Sequence, residues 1–356
     1  MAKLASHDNA SPSLDECFEV EKTSAWCIVQ SLAAKLELNV SKATQNALKN
    51  AVPATYIMIA GPTASGKSRL AVDLACKLDG EVINADSMQL YADLSILSAR
   101  PSRADMQDIP HHLYGVLDGG HRASVAAWLG LAATAMTAIW ARGKMPIIIG
   151  GTGMYLDAAV NGIAPIPVVP VNIHEDCMAL FDAIGGAAFR QKLALHDPLV
   201  ASRLDDGDRQ RLIRAMGVFN ATGIALGQHQ KAEHKGALIG RPLKIAMLPP
   251  RDILYERIDA RFDVMLEQGA MDEVRQFINR QLDPSLPLMK ALGVTALKAV
   301  LDKELTIDEA AYTAKRDSRH YAKRQMTWLR NNYNAQITLN TKLSESLMES
   351  IFSLIR

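Results

Sequence analysis

Eight consecutive residues have the types and spacing for phosphate chemistry. Gly61, Pro62, Thr63, Ala64, Ser65, Gly66, Lys67 and Ser68 spell G-x-x-x-x-G-K-S. In such a loop the backbone N–H groups turn inward toward phosphate oxygens. The lysine neutralises the terminal phosphate, and the serine hydroxyl ligates a Mg2+ that bridges the phosphates. A helix starting at the loop adds partial positive charge. The expected occupant is a phosphate-bearing molecule, such as the nucleotide ATP. Its phosphate is then transferred, hydrolysed or discarded as a leaving group. A second candidate is Asp86, in the run Asn84-Ala-Asp-Ser-Met-Gln-Leu-Tyr91. A carboxylate there suits a Mg2+ ligand or a base that takes a proton from an acceptor. An Asp-Ser pair is also a common helix cap. A further glycine motif is Gly150-Gly-Thr-Gly153, which suits a tight turn between a packed strand and helix.

The elements around these residues must bring them together. Residues 56–60 are a short apolar run that ends at the phosphate loop, as a buried strand would. Leu70, Leu74 and Leu78 then share one helical face, with Gly80 as the stop. Strands are expected at 81–86, 112–116 and 145–149. A long helix capped by Ser124 and closed by Gly143 precedes the last of these. Strand and helix alternate, so the sheet is expected to be mainly parallel, with ligands at the carboxyl ends of its strands. Asp86 and the phosphate loop then border one crevice. The alternation breaks at the proline-rich connector 164–170, and residues 172–236 read as helical only. Residues 243–248 restore a buried strand. Helices are expected at 252–278, at 289–303, and from a cap at Thr306 to Asp308 through Arg330.

The expected fold is therefore α/β: a P-loop NTPase-like, mainly parallel sheet flanked by helices, with an all-helical insertion and a helical C-terminal part. The organisation expected is an N-terminal extension at 1–53, with a short amphipathic helix at 24–36, then a first part of the core at 54–170. The helical insertion follows at 171–240, and the core continues at 241–356.

Bulk composition narrows the partners. The chain has 356 residues, 49% hydrophobic and 22% charged, with a formal net charge of +1. No global basic field advertises nucleic acid, so an RNA site must be a local patch. Cys17, Cys27, Cys76 and Cys177 show no metal-ligand or disulfide rhythm and fit a reducing cytoplasm. Residues 124–141 carry no charge, but Ala, Thr, Ser and Gly dominate them. They are read as a buried crossover helix, not a membrane span. His111 and His112 are read as structural, because with His121 they fit no standard metal spacing.

The phosphate loop alone leaves several reactions open. No Asn-Lys-x-Asp reads guanine, and the strand MPIIIGG ends in glycines where an ATPase needs an aspartate. Small-molecule kinases and non-phosphoryl transferases remain. Six ordered blocks add to this: GPTASGKSRLA, ADSMQLY, HHLYGVLD, IIIGGTGMYLDA, DRQRLIRAMGVF and AKRQMTWLR. Together they resemble the tRNA dimethylallyltransferases, also called tRNA isopentenyltransferases, over about residues 54–330.

The resemblance implies transfer of a dimethylallyl group from dimethylallyl diphosphate to the exocyclic N6 of the adenine 3′ of the anticodon. Diphosphate is then the leaving group held by residues 61–68, with Mg2+ on Ser68. Lys67, Asp86, Thr152 and Arg251 are the implied catalytic positions. Asp86 is the general base, Thr152 lines the channel, and Arg251 contacts diphosphate. The implied RNA contacts are Asp86, Ser87, Met88 and Gln89, then Thr152, then Gln210, Arg211, Leu212, Ile213 and Arg214 in the insertion. Lys290 to Val294 resembles a further tRNA-facing turn. The partners expected are the tRNA anticodon arm and dimethylallyl diphosphate, with no membrane and with the chain a monomer.

A second basic cluster, Lys315, Arg316, Arg319, Lys323, Arg324 and Arg330, reads either as an RNA face or as a solvated face paired with acids. The chain departs from the family pattern at Arg100, His174 and Val294. Alternatives are an adenylate (cytokinin-type) isopentenyltransferase, a small-metabolite P-loop kinase and a non-catalytic RNA-binding protein.

Overall fold

A computed structural model describes residues 56–340. The expectations for 1–53, the helix at 24–36 among them, lie outside the described residues. In chain order the elements are β1 (Tyr56–Ala60), α1 (Lys67–Leu78), β2 (Gly80–Asn84), α2 (Arg103–Met106), β3 (His111–His112), α3 (Val125–Ala141), β4 (Met145–Gly150) and α4 (Gly153–Asn161). Then come α5 (Val171–Ala194), α6 (Pro198–Ala201), α7 (Arg209–Thr222), α8 (Leu226–His229), β5 (Pro242–Met247), α9 (Arg251–Glu267) and α10 (Ala270–Ile278). A 3-10 turn (Pro287–Lys290), α11 (Val294–Leu301), α12 (Ile307–Asn332) and β6 (Ile337–Leu339) complete the order.

Two compact units result. The first comprises, among the described residues, 56–123, 131–156 and 240–340; the second comprises Ser124–Gly130 and Asp157–Ile239. The first holds one sheet in the order β3-β2-β4-β1-β5-β6, with every pair parallel. Its strands are apolar almost throughout, as strands covered on both faces must be. Ile57, Ile59, Val82, Ile147, Ile149, Leu243 and Ile245 form a core with Leu70, Ala71 and Leu74 of α1. Leu70 and Leu74 thus bury the face expected of them.

Register decides where chemistry can occur. Ala60 pairs with Gly150, and Asn84 with Ile149, so β1, β4 and β2 end at one level. The phosphate loop, the Gly-Gly-Thr turn and the Asp86 segment therefore emerge side by side. Gly150 is required there: a Cβ on it would sit 2.2 Å from the Ala85 carbonyl oxygen.

The second unit is helical, and its core gathers Cys177, Phe189, Leu193, Leu212, Ile213 and Met216. Gly185, at φ 76°, kinks α5.

Several expected boundaries shift. Asp79, not Gly80, ends α1 in the left-handed region, and Gly80 opens β2. The strand expected at 112–116 is only His111–His112. The helix expected at 252–278 breaks at Gly269, whose φ is 97°. The segment expected at 289–303 is a 3-10 turn followed by α11. The C-terminal part is not wholly helical: Ile337–Leu339 adds a sixth strand beside β5. Three residues are too few for a periodic signal.

Ser124 caps α3 as expected, its hydroxyl accepting from Ala127 N–H at 3.1 Å. α3 buries only one face, through Trp128, Ala132, Met136 and Ile139. Its other face exposes Ala127, Gly130, Ala133 and Ala138, which are small enough for exposure to cost little. No described helix is long and apolar enough to cross a membrane.

Candidate active site

The phosphate loop is built as a nest. Ala64, at φ 61°, and Gly66, at φ 90°, are left-handed, and α1 begins at Lys67. Alternating handedness of this kind turns successive N–H groups to one side, where they meet an anion. Lys67 Nζ donates to the Pro62 carbonyl at 3.2 Å. Burial lowers its pKa to about 8; the Asp86 charge opposes that shift and Arg261 adds to it. Ser68 is exposed.

Asp86 lies just beyond β2. Asn84 fixes the turn: its Oδ1 accepts from Asp86 N–H at 2.8 Å, and its Nδ2 donates to the Asp86 and Leu113 carbonyls, each at 3.0 Å. Asp86 Oδ1 accepts from Met88 N–H at 3.0 Å. Residues 87–90 form a turn, so the aspartate closes an Asx-type turn and caps no helix. The Thr152 hydroxyl accepts from Ser87 N–H at 3.1 Å, which ties the Gly-Gly-Thr turn to the Asp86 segment. Tyr114, Tyr155 and Tyr321 lie within electrostatic reach of Asp86. Burial, with that carboxylate second or third, raises all three phenols far above their ordinary range. They stay protonated, and Tyr321 shares a hydrogen bond with Thr152.

Two groups missed in the sequence complete the site. Arg261, on α9, donates to the Thr63 hydroxyl. Burial lowers its pKa, and the charge of Asp86 raises it. Gln325, on α12, accepts from Thr63 N–H at 2.9 Å and donates to the Gly151 carbonyl at 2.9 Å. The Thr63 amide is thus engaged, and Ser65 N–H makes only a long bond to the Pro62 carbonyl, at 3.3 Å. The amides of residues 64–68 are therefore those left to face an anion. Arg251 stands exposed at the first position of α9. Among the described residues no carboxylate forms an ion pair with Lys67 or Arg261. Arg261 carried no motif signal, because helix turns and not spacing bring it to the loop. Gln325 stood inside the AKRQMTWLR block without an assigned role.

The segment from Asp86 to Gln89 is already engaged in part. Gln89 Nε2 donates to the Ser98 and Ala99 carbonyls, each at 2.9 Å, which leaves its Oε1 as the open group. Arg100, where the chain departs from the family pattern, donates to the Tyr91 carbonyl at 3.0 Å and acts as an internal staple. Glu273 holds the same loop through the N–H groups of Ser95, Ile96 and Leu97. Val294, a second departure, is buried as the first residue of α11. His112 shares the buried Glu81 with Arg142, in keeping with a structural role.

In the helical unit α7 carries the expected RNA contacts. Leu212 is 0% and Ile213 1% exposed, so both side chains belong to the core of that unit. Gln210, Arg211 and Arg214 face solvent. Arg211 pairs with Asp208. On α12, Lys315 pairs with Asp263, Arg316 with Asp317 and Arg319 with Asp259. Lys323, Arg324, Thr327, Trp328, Asn331 and Asn332 line an open groove along the same helix.

The IPP transferase profile matches residues 89–332, and an isopentenyl transferase profile matches 54–114. The chain belongs to the IPP transferase family. A tRNA dimethylallyltransferase of Hyphomonas neptunium is 46% identical over 301 residues, covering 84% of this chain and 95% of that protein. Among solved structures, the full-length tRNA isopentenylpyrophosphate transferase of Bacillus halodurans is 32% identical, with a TM-score of 0.60 over 85% of this chain and 97% of its own. A eukaryotic dimethylallyltransferase described as acting on tRNA is 26% identical, with a TM-score of 0.72 over 85% of this chain and 77% of its own. The IPP transferase assignment agrees with the parallel sheet and with the phosphate loop at its carboxyl edge.

Proposed function

We propose that the chain transfers a dimethylallyl group from dimethylallyl diphosphate to N6 of the adenine 3′ of the tRNA anticodon. One observation carries this reading beyond family membership: two partly buried cations, Lys67 and Arg261, share the phosphate loop with no ion-pair partner among the described residues, and the Asp86 carboxylate lies within their field. Withdrawn cations without a partner are costly, and a bound diphosphate offsets that cost.

The new N6–C bond forms as the allylic C–O bond breaks. The electron pair of that bond leaves with the diphosphate. Lys67, Arg261 and the amides of residues 64–68 meet the charge that builds there, the kind of stabilisation that usually contributes most. The proton of N6 passes to Asp86. Met88 N–H fixes Oδ1 of that carboxylate, which leaves Oδ2 to accept.

Mg2+ fits this set in one way. No group of three His, Cys, Asp or Glu side chains gathers among the described residues. The exposed Ser68 hydroxyl beside a diphosphate, with water completing the shell, suits a cation that keeps few protein ligands. When bound, it neutralises charge on the leaving diphosphate. Arg211 and Arg214 supply phosphate contacts to the RNA.

The test is transfer of label from dimethylallyl diphosphate in the presence of Mg2+ to unmodified tRNA or to AMP. Label in tRNA at the adenine beside the anticodon is expected. Label in AMP alone, or ATP turnover without prenyl transfer, overturns the reading.

A further inference from the structure

The buried stripe of α12 reads Ala310, Ala314, Ala322, Gln325, Met326 and Leu329. Gln325 is the polar exception, only 6% exposed. A buried amide is costly unless both its ends are bonded, and an aliphatic side chain would pack on this stripe without that requirement. Both ends are bonded here, and to two different turns. The carbonyl end takes Thr63 N–H of the phosphate loop, and the NH2 end meets the Gly151 carbonyl of the Gly-Gly-Thr turn, each at 2.9 Å. Room for the amide depends on Gly151: a Cβ there would lie 2.3 Å from Gln325 Nε2. In the same loop Arg261 holds the Thr63 hydroxyl. Thr63 is therefore held through both its backbone and its side chain.

We propose that Gln325 is a positioning residue that sets the spacing between the diphosphate nest and the Thr152–Asp86 side of the site. The inference rests on the prenyl-transfer reading. The two turns carry the two halves of that reaction. Residues 64–68 hold the leaving group. Thr152, through Ser87 N–H, holds the segment of the proton acceptor. β1 and β4 pair only up to Ala60 and Gly150. A backbone bond from Gly61 N–H to the Gly150 carbonyl follows, at 3.2 Å, and beyond it the amide of Gln325 joins Thr63 to Gly151. A displacement of about 1 Å between reacting groups costs on the order of 10²-fold in rate.

The test uses the full chain with Gln325→Met, which has similar length and suits an apolar stripe but bonds neither turn. The expected result is a kcat ~10- to 100-fold lower, a tRNA KM within about twofold of wild type, and weaker calorimetric binding of inorganic diphosphate. Thermal melting checks folding. If Gln325→Met does not fold, Gln325→Asn carries the test, because it keeps the amide but is one methylene too short to bond both Thr63 N–H and the Gly151 carbonyl. It is expected to show the same split. An unchanged kcat, or a loss confined to the tRNA KM with diphosphate binding intact, overturns the proposal. Wild-type protein that binds diphosphate but transfers no prenyl group would overturn the functional reading instead, and the diphosphate measurement would still decide the clamp.

Discussion

The cations at the carboxyl edge of the sheet and those on α7 differ in what surrounds them. Lys67 and Arg261 are partly buried and have no carboxylate ion-pair partner among the described residues, and burial depresses the pKa of both. Arg209 and Arg211 lie at the surface of the helical unit and are paired with Asp182 and Asp208. The first arrangement gives up stability to keep positive charge ready for one anion of fixed shape. The second costs little, because exposed pairs are worth little either way and are readily exchanged for phosphates. A count of basic residues in the sequence favours the surface clusters. Burial and missing partners single out the pair to which the proposed chemistry is assigned.

Several measurements would break or sharpen that contrast. The largest effect is expected at Asp86, the one carboxylate among the described residues that lies within the field of the buried pair. Asp86→Asn should lower kcat by ~10²–10⁴ while inorganic diphosphate still binds, as read by single-turnover kinetics and calorimetry. A rate near wild type would remove the residue from proton transfer.

Next come the two arginines of α9. Arg261→Met should cost ~10²–10³ in kcat, whereas the exposed Arg251→Met should change it by less than about threefold, in line with surface substitutions. The opposite ranking would return the diphosphate contact to Arg251.

The pH dependence should follow Lys67. Its charge is complete well below pH 8 and is lost as pH rises through about 8. Bound diphosphate favours the charged form, so binding near and above that pH must take up a proton. Calorimetry in buffers of different ionisation enthalpy reads this uptake, and diphosphate affinity should fall on the alkaline side. Affinity that is flat from pH 7 to 9.5 would contradict the assignment.

A smaller effect is expected on α7. Arg211→Ala with Arg214→Ala should weaken tRNA binding several-fold and reduce the salt slope by about 1 for each phosphate no longer neutralised. The KM for dimethylallyl diphosphate should be unchanged. Arg316→Ala, which removes a surface pair on α12, should be smallest, within about twofold in every parameter.

Much of this site was legible in the residues. The phosphate loop and Asp86 stood out because local chemistry needs fixed spacing: a glycine, Gly66, where the backbone turns left-handed, then a lysine at a helix start, and a carboxylate at a strand end. The parallel sheet followed from apolar runs alternating with helical periodicity. β6 was hidden by its length, and the break at Gly269 by periodic residues on both sides of it. Arg261 and Gln325 were hidden for a different reason. Arg261 meets Thr63 from 198 residues away, and Gln325 meets it from 262. No spacing rule spans such distances.

The amino-acid sequence by itself marked the loop at residues 61–68 as able to hold an anion and Asp86 as able to take a proton, because those abilities belong to residue types and short turns. Only the tertiary structure decided which cations lose their water and form no ion pair among the described residues, which amide of the loop is already taken, and which of the marked residues turn into a core, as Leu212 and Ile213 do. Those outcomes depend on desolvation and on contacts between residues far apart in the chain, which form only when each unit folds.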